Sequence, residues 1–144
     1  MRVLFDTSAL IAAMVEAHPM HERALSWLQR VKKGTAVGIV AAHSIAELYA
    51  ILTTLPVQPP IPPAIAQQLI HHNVLDTCQI VSLSDKDYTA IIDHLSEAGI
   101  TGGMTYDALI LYTALKVDVD HVVTLNEKDF RAIYPNLVNK VITP

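Results

Sequence analysis

Short apolar runs alternate along the chain with longer segments in which apolar residues recur every three or four positions. The short runs predict strands and the longer segments predict helices. Because the predicted strands are apolar throughout instead of alternating with polar residues, they favour a parallel sheet that is covered by helices on both faces. The predicted strands are 2–5, 36–40, 78–83, 121–125 and 140–143.

Seven helices are predicted around these strands. Pro19 suits the first turn of the second helix and Gly34 its end, while Ser84 suits the N-cap of the fifth helix and Gly99 its terminator. The proline-rich segment 56–63 is predicted as a surface loop, since neither side of it holds enough strands for a separate domain. The chain is therefore predicted to be one α/β domain over residues 1–144, a three-layer sandwich. The predicted helices are 8–15, a helix within 18–34, 43–55, 64–75, 85–98, 105–117 and 127–134.

The composition narrows the class of protein. The chain has 144 residues, which suits one core, and its 51% hydrophobic content with only 17% charged residues is too apolar for a disordered chain. No apolar run reaches the roughly 18 residues of a membrane span, and the N-terminus does not resemble a signal peptide. The single cysteine, Cys78, allows neither a disulfide framework nor a zinc knuckle. We therefore expect a soluble cytoplasmic domain.

The charge alone does not indicate a nucleic-acid-binding protein. The net charge is −4 and the ten lysines and arginines are scattered, whereas phosphate binding usually needs a basic face. An acidic balance is equally compatible with a cluster of carboxylates that binds divalent cations.

Polar residues from four distant segments are predicted to meet at one edge of the sheet. Asp6 follows the first strand, Glu47 lies in the first turns of the helix after the second, and Asp107 lies near the start of a later helix. Thr124 ends the fourth strand and Asn126 follows it. Because ligands of open parallel sheets bind outside the carboxyl ends of the strands, these side chains mark a candidate site.

Clustered carboxylates have a chemical use. They repel one another when ionised, and a divalent cation removes that repulsion. Mg²⁺ and Mn²⁺ prefer oxygen ligands, activate water as a nucleophile and stabilise charge on a phosphoryl oxygen. The predicted cluster therefore suits the hydrolysis of phosphodiester bonds.

Each of these residues also has a structural interpretation as a helix cap. Asp6 suits the N-cap of the first helix, Ser44 and Glu47 have the spacing of a capping box, and Asp107 and Asn126 suit helix N-termini. However, Glu47 is followed by "LYAIL" and Asp107 by "ALILYTAL", segments that should be buried. A carboxylate in such a segment needs a partner or a metal ion.

Other candidates have less support. Asp129 lies close enough to the same edge to be a secondary candidate, and the seven histidines show no spacing typical of a metal site. The glycine-rich and nucleophile-elbow motifs of nucleotide-binding proteins and hydrolases are absent. A receiver-like domain with Asp6 as phosphoryl acceptor would need a lysine at a strand end, which the sequence does not offer.

Four segments together resemble the PIN-domain nucleases, and within them the small VapC-type toxins of prokaryotic toxin–antitoxin pairs. They occur in the family's order across nearly the full length. The family's motifs are matched by "VLFDTSAL" with Asp6 and Ser8, "HSIAELYAIL" with Glu47, "GITGGMTYDALILYTAL" with Asp107, and "HVVTLNEKDF" with Thr124 and Asn126.

The resemblance implies a five-stranded parallel sheet and an Mg²⁺ or Mn²⁺ site formed by Asp6, Glu47 and Asp107. It also implies endonucleolytic cleavage of RNA, a homodimer, and inhibition by an antitoxin whose C-terminal segment lies over the active-site groove. Ser8 and Thr124 are expected to support the site, with Ser8 rather than Asp6 capping the first helix.

Asn126 departs from the family pattern, because many members carry an aspartate there. An asparagine binds metal only through a neutral amide oxygen, so a second ion would be held more weakly, and the choice between one ion and two stays open. Two alternatives also stay open: a standalone PIN nuclease for RNA processing without an antitoxin, and an inactive PIN-like binding module.

Overall fold

The computed structural model describes all 144 residues and contains one five-stranded sheet. All neighbouring strands are parallel, in the order β3-β2-β1-β4-β5. The first strand is therefore central, and its two neighbours come from distant parts of the sequence. The strands are β1 (Arg2–Phe5), β2 (Val37–Ala41), β3 (Gln79–Val81), β4 (His121–Val123) and β5 (Val141–Ile142).

Seven α-helices connect and cover these strands. A π-helical turn, His71–Leu75, continues the fourth helix, and a 3-10 helix, Pro135–Lys140, precedes β5. The helices are α1 (Thr7–Met14), α2 (His21–Lys32), α3 (Ala42–Leu52), α4 (Pro63–Ile70), α5 (Asp85–Ala98), α6 (Met104–Val117) and α7 (Glu127–Ile133).

Two apolar cores separate the helices into layers. Successive side chains of a strand point to opposite faces, so Val3 and Phe5 of β1 contact one layer and Leu4 contacts the other. The first layer contains α1 to α4 and the second contains α5 to α7. The predicted three-layer α/β fold with a parallel sheet is confirmed. Residues that fill the first core include Ala9, Leu10, Leu48, Leu52, Ala66 and Ile70, and the second includes Ile91, Leu95, Leu111, Ala114, Phe130 and Ile133.

The ends of the helices show where local sequence signals hold. Ser84 forms a reciprocal capping box with Asp87, and Gly99 ends α5 with a φ of 69°, as predicted. The prediction for Pro19 is wrong, because α2 begins at His21. The residues before it form turns, in which the backbone N–H of Met20 donates to Nδ1 of His18. The 3-10 helix before β5 was not predicted.

Charged residues at the amino end of the sheet pair with one another. The backbone N–H of Arg2 donates to Oδ2 of Asp120 at 2.7 Å, and Nζ of Lys140 lies 3.1 Å from Oδ1 of Asp118. The Arg2 backbone N–H also holds the pKa of the Asp120 carboxyl below its usual range. These four residues, Arg2, Asp118, Asp120 and Lys140, are called the amino-end cluster below.

The helices are also short. None combines the length and the apolar character that crossing a membrane would require.

Candidate active site

A pocket of about 200 Å³ opens at the carboxyl end of the sheet. The four residues predicted to converge, Asp6, Glu47, Asp107 and Asn126, all lie in its wall. A larger groove of about 450 Å³ between α3 and α4 has no carboxylate in its lining, so size does not identify the site. The smaller one is called the acid pocket below, and it is lined by Asp6, Thr7, Ser8, Glu47, Ile51, Asp107, Ile110 and Asn126.

Asp6 is the most constrained residue of the acid pocket. It follows β1 directly, where its backbone N–H donates to the carbonyl of Val123, and its side chain is buried. Oδ1 accepts the backbone N–H of Ala9 at 2.8 Å, and Oδ2 accepts the hydroxyl of Thr124 at 2.6 Å. The hydroxyl of Ser8 lies 2.8 Å from both oxygens. The carboxylate is therefore fixed in orientation by three donors.

The cap of the first helix is Asp6 and not Ser8, so that prediction is wrong. Ser8 is the second residue of α1, and its hydroxyl donates to Asp6 and accepts the backbone N–H of Leu125 at 3.1 Å. Because this N–H turns to Ser8, the fourth strand stops before residue 125. Ser8 thus ties the ends of β1 and β4 together.

Burial raises the pKa of the Asp6 carboxyl to about 6. The hydrogen bonds from Thr124, Ala9 and Ser8 oppose the rise, and the nearby charge of Glu47 adds to it. Desolvation thus outweighs three favourable donors. No nearby lysine or arginine stabilises the ionised carboxylate of Asp6.

Glu47 is held by a residue that sequence reasoning did not include in the site. The hydroxyl of Thr7 lies 2.9 Å from Oε1 of Glu47 and 3.1 Å from the hydroxyl of Ser44. Ser44 is buried inside α3, which begins at Ala42, so the predicted capping box does not exist. The position of Thr7 directly after Asp6 is the only sequence signal that pointed to it.

Two aromatic rings stand beside Glu47 and Asp107. The His43 ring stacks on the Tyr106 ring with centroids 5.4 Å apart and an interplanar angle of 5°. Nε2 of His43 is buried without a hydrogen-bond partner, 3.5 Å from Oε1 of Glu47. Neither ring was predicted to belong to the site.

Asp107 lies in the first turn of α6 and is half-buried. It does not cap this helix, whose N-cap is Gly103 without a side-chain hydrogen bond. Burial raises the pKa of its carboxyl to about 6, and the charges of Asp6, Asp129 and Glu47 raise it further. The structural interpretation as a cap therefore fails for this residue.

Asn126 occupies the N-cap position of α7 without capping it. Its side-chain N–H donates to Oδ2 of Asp129 at 3.1 Å, and its backbone N–H donates to the hydroxyl of Thr124 at 2.9 Å. Asp129, the secondary candidate, does not line the pocket but orients a residue that does.

Apart from the His43 ring beside Glu47, no basic side chain stands next to these carboxylates. No lysine or arginine lines the acid pocket, and none of the ion pairs joins one to Asp6, Glu47 or Asp107. No three His, Cys, Asp or Glu side chains stand close enough to hold a metal ion on their own. The oxygen donors nevertheless fit Mg²⁺, which keeps several waters and takes few ligands directly from a protein.

The sequence of this chain is similar to a known protein family and to two ribonucleases. A model of the PIN domain family matches residues 3–134. Ribonuclease VapC40 of Mycobacterium tuberculosis is 37% identical over 111 residues, which cover 76% of this chain and 75% of that protein. Ribonuclease VapC27 of the same organism is 28% identical over 127 residues, which cover 88% of this chain and 84% of that protein.

The fold has a matching solved structure. The crystal structure of VapBC2 from Rickettsia felis, bound to a DNA fragment from their promoter, superposes with a TM-score of 0.71. The match covers 100% of this chain and 99% of that chain at 20% sequence identity.

Proposed function

Because this chain belongs to the PIN-domain family, we propose that it is a Mg²⁺- or Mn²⁺-dependent endoribonuclease, the toxin of a type II toxin–antitoxin pair. The observation that carries this proposal is the acid pocket. It joins Asp6, Glu47 and Asp107 from three distant segments, without a lysine or arginine to balance them. Ribonuclease VapC40, 37% identical to this chain, supports the assignment to RNA cleavage.

The carboxylates of Asp6, Glu47 and Asp107 would hold the cation, directly or through waters, with the Asn126 amide as an auxiliary ligand. When bound, Mg²⁺ lowers the pKa of a coordinated water and neutralises charge on a phosphoryl oxygen. Its charge would also offset the burial, and the smaller repulsion between carboxylates, that raise the pKa of Asp6 and Asp107 to about 6.

The protein's own contribution is to fix the carboxylates before the substrate arrives. Ser8 and Thr124 hold Asp6, and Thr7 holds Glu47. Asp107 accepts no hydrogen bond, so both of its oxygens are free for a ligand. Such preorganisation lowers the energy needed to orient charges during the reaction.

The substrate that suits this pocket is single-stranded RNA or an exposed RNA loop. The carboxylates line a pocket between α1, α3 and α6, and an unpaired strand or loop can bring a phosphate to such a pocket without the constraint of a duplex. In the hydrolysis, a water oxygen joins phosphorus and the 3′ oxygen leaves, so the products carry 5′-phosphate and 3′-hydroxyl ends.

The assay that tests the enzyme is cleavage of RNA with Mg²⁺ or Mn²⁺, comparing wild type with Asp6→Asn and with addition of a chelator. We expect wild type to release 5′-phosphate ends, the variant to cleave roughly 100- to 1,000-fold more slowly, and the chelated protein to be inactive. Equal cleavage by wild type and Asp6→Asn would contradict the assignment of the site.

The toxin role has a separate test. VapBC2, a toxin–antitoxin complex in which the related fold occurs, supports an antitoxin partner. A homodimer of this chain is part of the proposal. We expect induced expression to arrest growth, and co-expression of a small adjacent reading frame to restore it and to co-purify with the chain. Cleavage without growth arrest or partner would favour the standalone RNA-processing nuclease instead.

A further inference from the structure

An exposed tyrosine is the sequence neighbour of a carboxylate of the acid pocket, although it does not line that pocket itself. Tyr106 directly precedes Asp107 on α6 and is 54% exposed, the same fraction as the most exposed isoleucine, Ile92. Exposed apolar side chains are common on protein surfaces, so the exposure alone does not assign a role to this ring. Its position beside a pocket carboxylate makes it a candidate for contact with the substrate.

His43 supports this ring from one side. The two rings are nearly parallel, 5.4 Å apart, and His43 lies one helical turn before Glu47 on α3. Tyr106 stacks on no other aromatic ring, and more than half of its surface is exposed. The pair lies between the two helices that supply Glu47 and Asp107, with part of the Tyr106 ring in contact with solvent.

The acid pocket offers RNA no cationic side chain. No lysine or arginine lines it, so affinity for a phosphate there would come from the proposed metal ion alone. Base–aromatic stacking supplies affinity without a cation, because every base has a π face. A tyrosine backed by a second ring is well suited to this because its orientation is already fixed.

We propose that Tyr106, supported by His43, stacks on a nucleobase of single-stranded RNA next to the scissile phosphate. This inference rests on the proposed function and adds a substrate-binding residue to it. Since purines present a larger π face than pyrimidines, the stack also favours a purine at this place. Tyr106 binds substrate, and His43 is a positioning residue that acts through it.

The test measures RNA binding separately from cleavage, in the Asp6→Asn protein with Mg²⁺. The probes are fluorescein-labelled oligoadenylate and oligouridylate, followed by anisotropy. The variants are Tyr106→Ala, Tyr106→Leu, which keeps an apolar side chain without the ring, and Tyr106→Phe. Tyr88→Ala is the matched control, since Tyr88 is also exposed (45%) but lies on α5, outside the acid pocket.

We expect Tyr106→Ala and Tyr106→Leu to weaken oligoadenylate binding by roughly 5- to 150-fold, the range of one base stack. Tyr106→Phe and Tyr88→Ala should bind like the parent, and His43→Ala should show a smaller loss in the same direction. The fold-loss should be equal at low and high salt because no phosphate contact is removed. The preference for oligoadenylate over oligouridylate should shrink when the ring is absent.

In the cleaving protein, Tyr106→Leu should raise KM with little change in kcat. Failure of the proposed function appears differently: wild type would cleave no RNA, whether or not Tyr106 affects binding. If Tyr106→Leu binds both probes like its parent, or if the parent binds neither, the stacking proposal is overturned. Unchanged RNA binding would leave the exposed ring for contact with a protein partner.

Discussion

The two ends of the sheet treat aspartate in opposite ways. In the amino-end cluster, the exposed carboxyl of Asp120 accepts the backbone N–H of Arg2, and its pKa is lowered. In the acid pocket, Asp6 is buried near Glu47, and its pKa is raised to about 6. One environment stabilises the negative charge and the other opposes it. Carboxylates with strongly perturbed pKa values cluster at functional sites, which supports the proposal that the carboxyl end binds the ligand.

The largest expected effect is on activity, from matched amide substitutions at the two ends. Asp6→Asn removes a proposed metal ligand with almost no change of shape. Loss of several kcal/mol of charge stabilisation corresponds to a fall in kcat of roughly 100- to 1,000-fold. Asp120→Asn should leave kcat unchanged, and cleavage rates of both proteins check the contrast. A comparable loss in Asp120→Asn would remove the functional distinction between the ends.

The second prediction concerns the pH dependence of stability in metal-free buffer. The folded protein holds the Asp6 proton up to a pKa of about 6, against an ordinary value of 3.8. Between these values the folded state binds more protons than the unfolded state, so the free energy of unfolding falls as pH rises. The expected loss from Asp6 is about 3 kcal/mol, complete above pH ~6.5. Asp107 adds a smaller loss, because it is half-exposed and solvent screens its charge.

Urea unfolding of wild type and Asp6→Asn at a series of pH values measures this effect, because their difference isolates the carboxyl. Mn²⁺ should restore the stability lost at neutral pH. The effect of Asp120 on the pH dependence of stability has the opposite sign. Because its pKa is lowered in the folded protein, it adds stability above its unfolded pKa, and this stability is lost as the pH falls through the folded pKa. A wild type that gains stability relative to Asp6→Asn between pH ~4 and ~6 would contradict the buried environment of Asp6.

The third prediction is the binding of Mn²⁺, measured by calorimetry. Asp107→Asn removes a carboxylate that has no other partner, and should weaken binding by about 10- to 100-fold, as removal even of outer-shell groups does. The control is Asp118→Asn, because Asp118 belongs to the exposed amino-end cluster. Equal Mn²⁺ affinity in wild type and Asp107→Asn would rule out Asp107 as a ligand.

A fourth, smaller effect is expected from the support of Asp6. Thr124→Val removes the hydroxyl that donates to Asp6 and accepts from Asn126, and should lower kcat by about 10-fold. It should also raise the pH at which stability is lost, because the Thr124 hydrogen bond lowers the pKa of Asp6. Thr113→Val is the matched control: Thr113 is equally buried, but its hydroxyl donates to the carbonyl of Leu109 within α6. Equal effects of both substitutions would mean that only packing is lost.

The smallest effect should come from Lys140→Met in the amino-end cluster. This change breaks the ion pair with Asp118, whose side chain is 90% exposed. Exposed pairs contribute at most about 1 kcal/mol, and methionine keeps the apolar part of the side chain. Urea unfolding should therefore show a loss below this value, with normal cleavage. A larger loss would show that the ion pair between Lys140 and Asp118 stabilises the fold more than an exposed pair normally does.

The sequence was sufficient to predict the fold and the convergence of the main acids. Continuously apolar strands such as β1 and β4 indicated a parallel sheet, and ligands of such sheets bind at the carboxyl ends of the strands. Asp6, Glu47, Asp107 and Asn126 could therefore be placed near one another without coordinates. Their proposed role as metal ligands stays a prediction.

The contacts among these residues could not be predicted, because they join distant segments. The hydroxyl of Thr7 contacts Glu47 across 40 positions, and His43 meets Tyr106 across two helices. A capping box was predicted for Glu47 because the spacing from Ser44 is right. The capping box is absent because α3 begins at Ala42, which places Ser44 inside the helix. Sequence signals locate a helix start only to within a few residues, and a cap depends on the exact start.

The hydrogen bond from Thr124 to Asp6 also has a consequence for when, during synthesis of the chain, the acid pocket can form. The two residues are 118 positions apart, so Asp6 cannot accept this hydrogen bond until a residue near the end of the chain has been synthesised. A ribosome that has released only the first hundred residues has produced Asp6 and Glu47, but neither Asp107 nor the β4 strand that aligns them. A polypeptide of that length therefore lacks residues that the acid pocket requires.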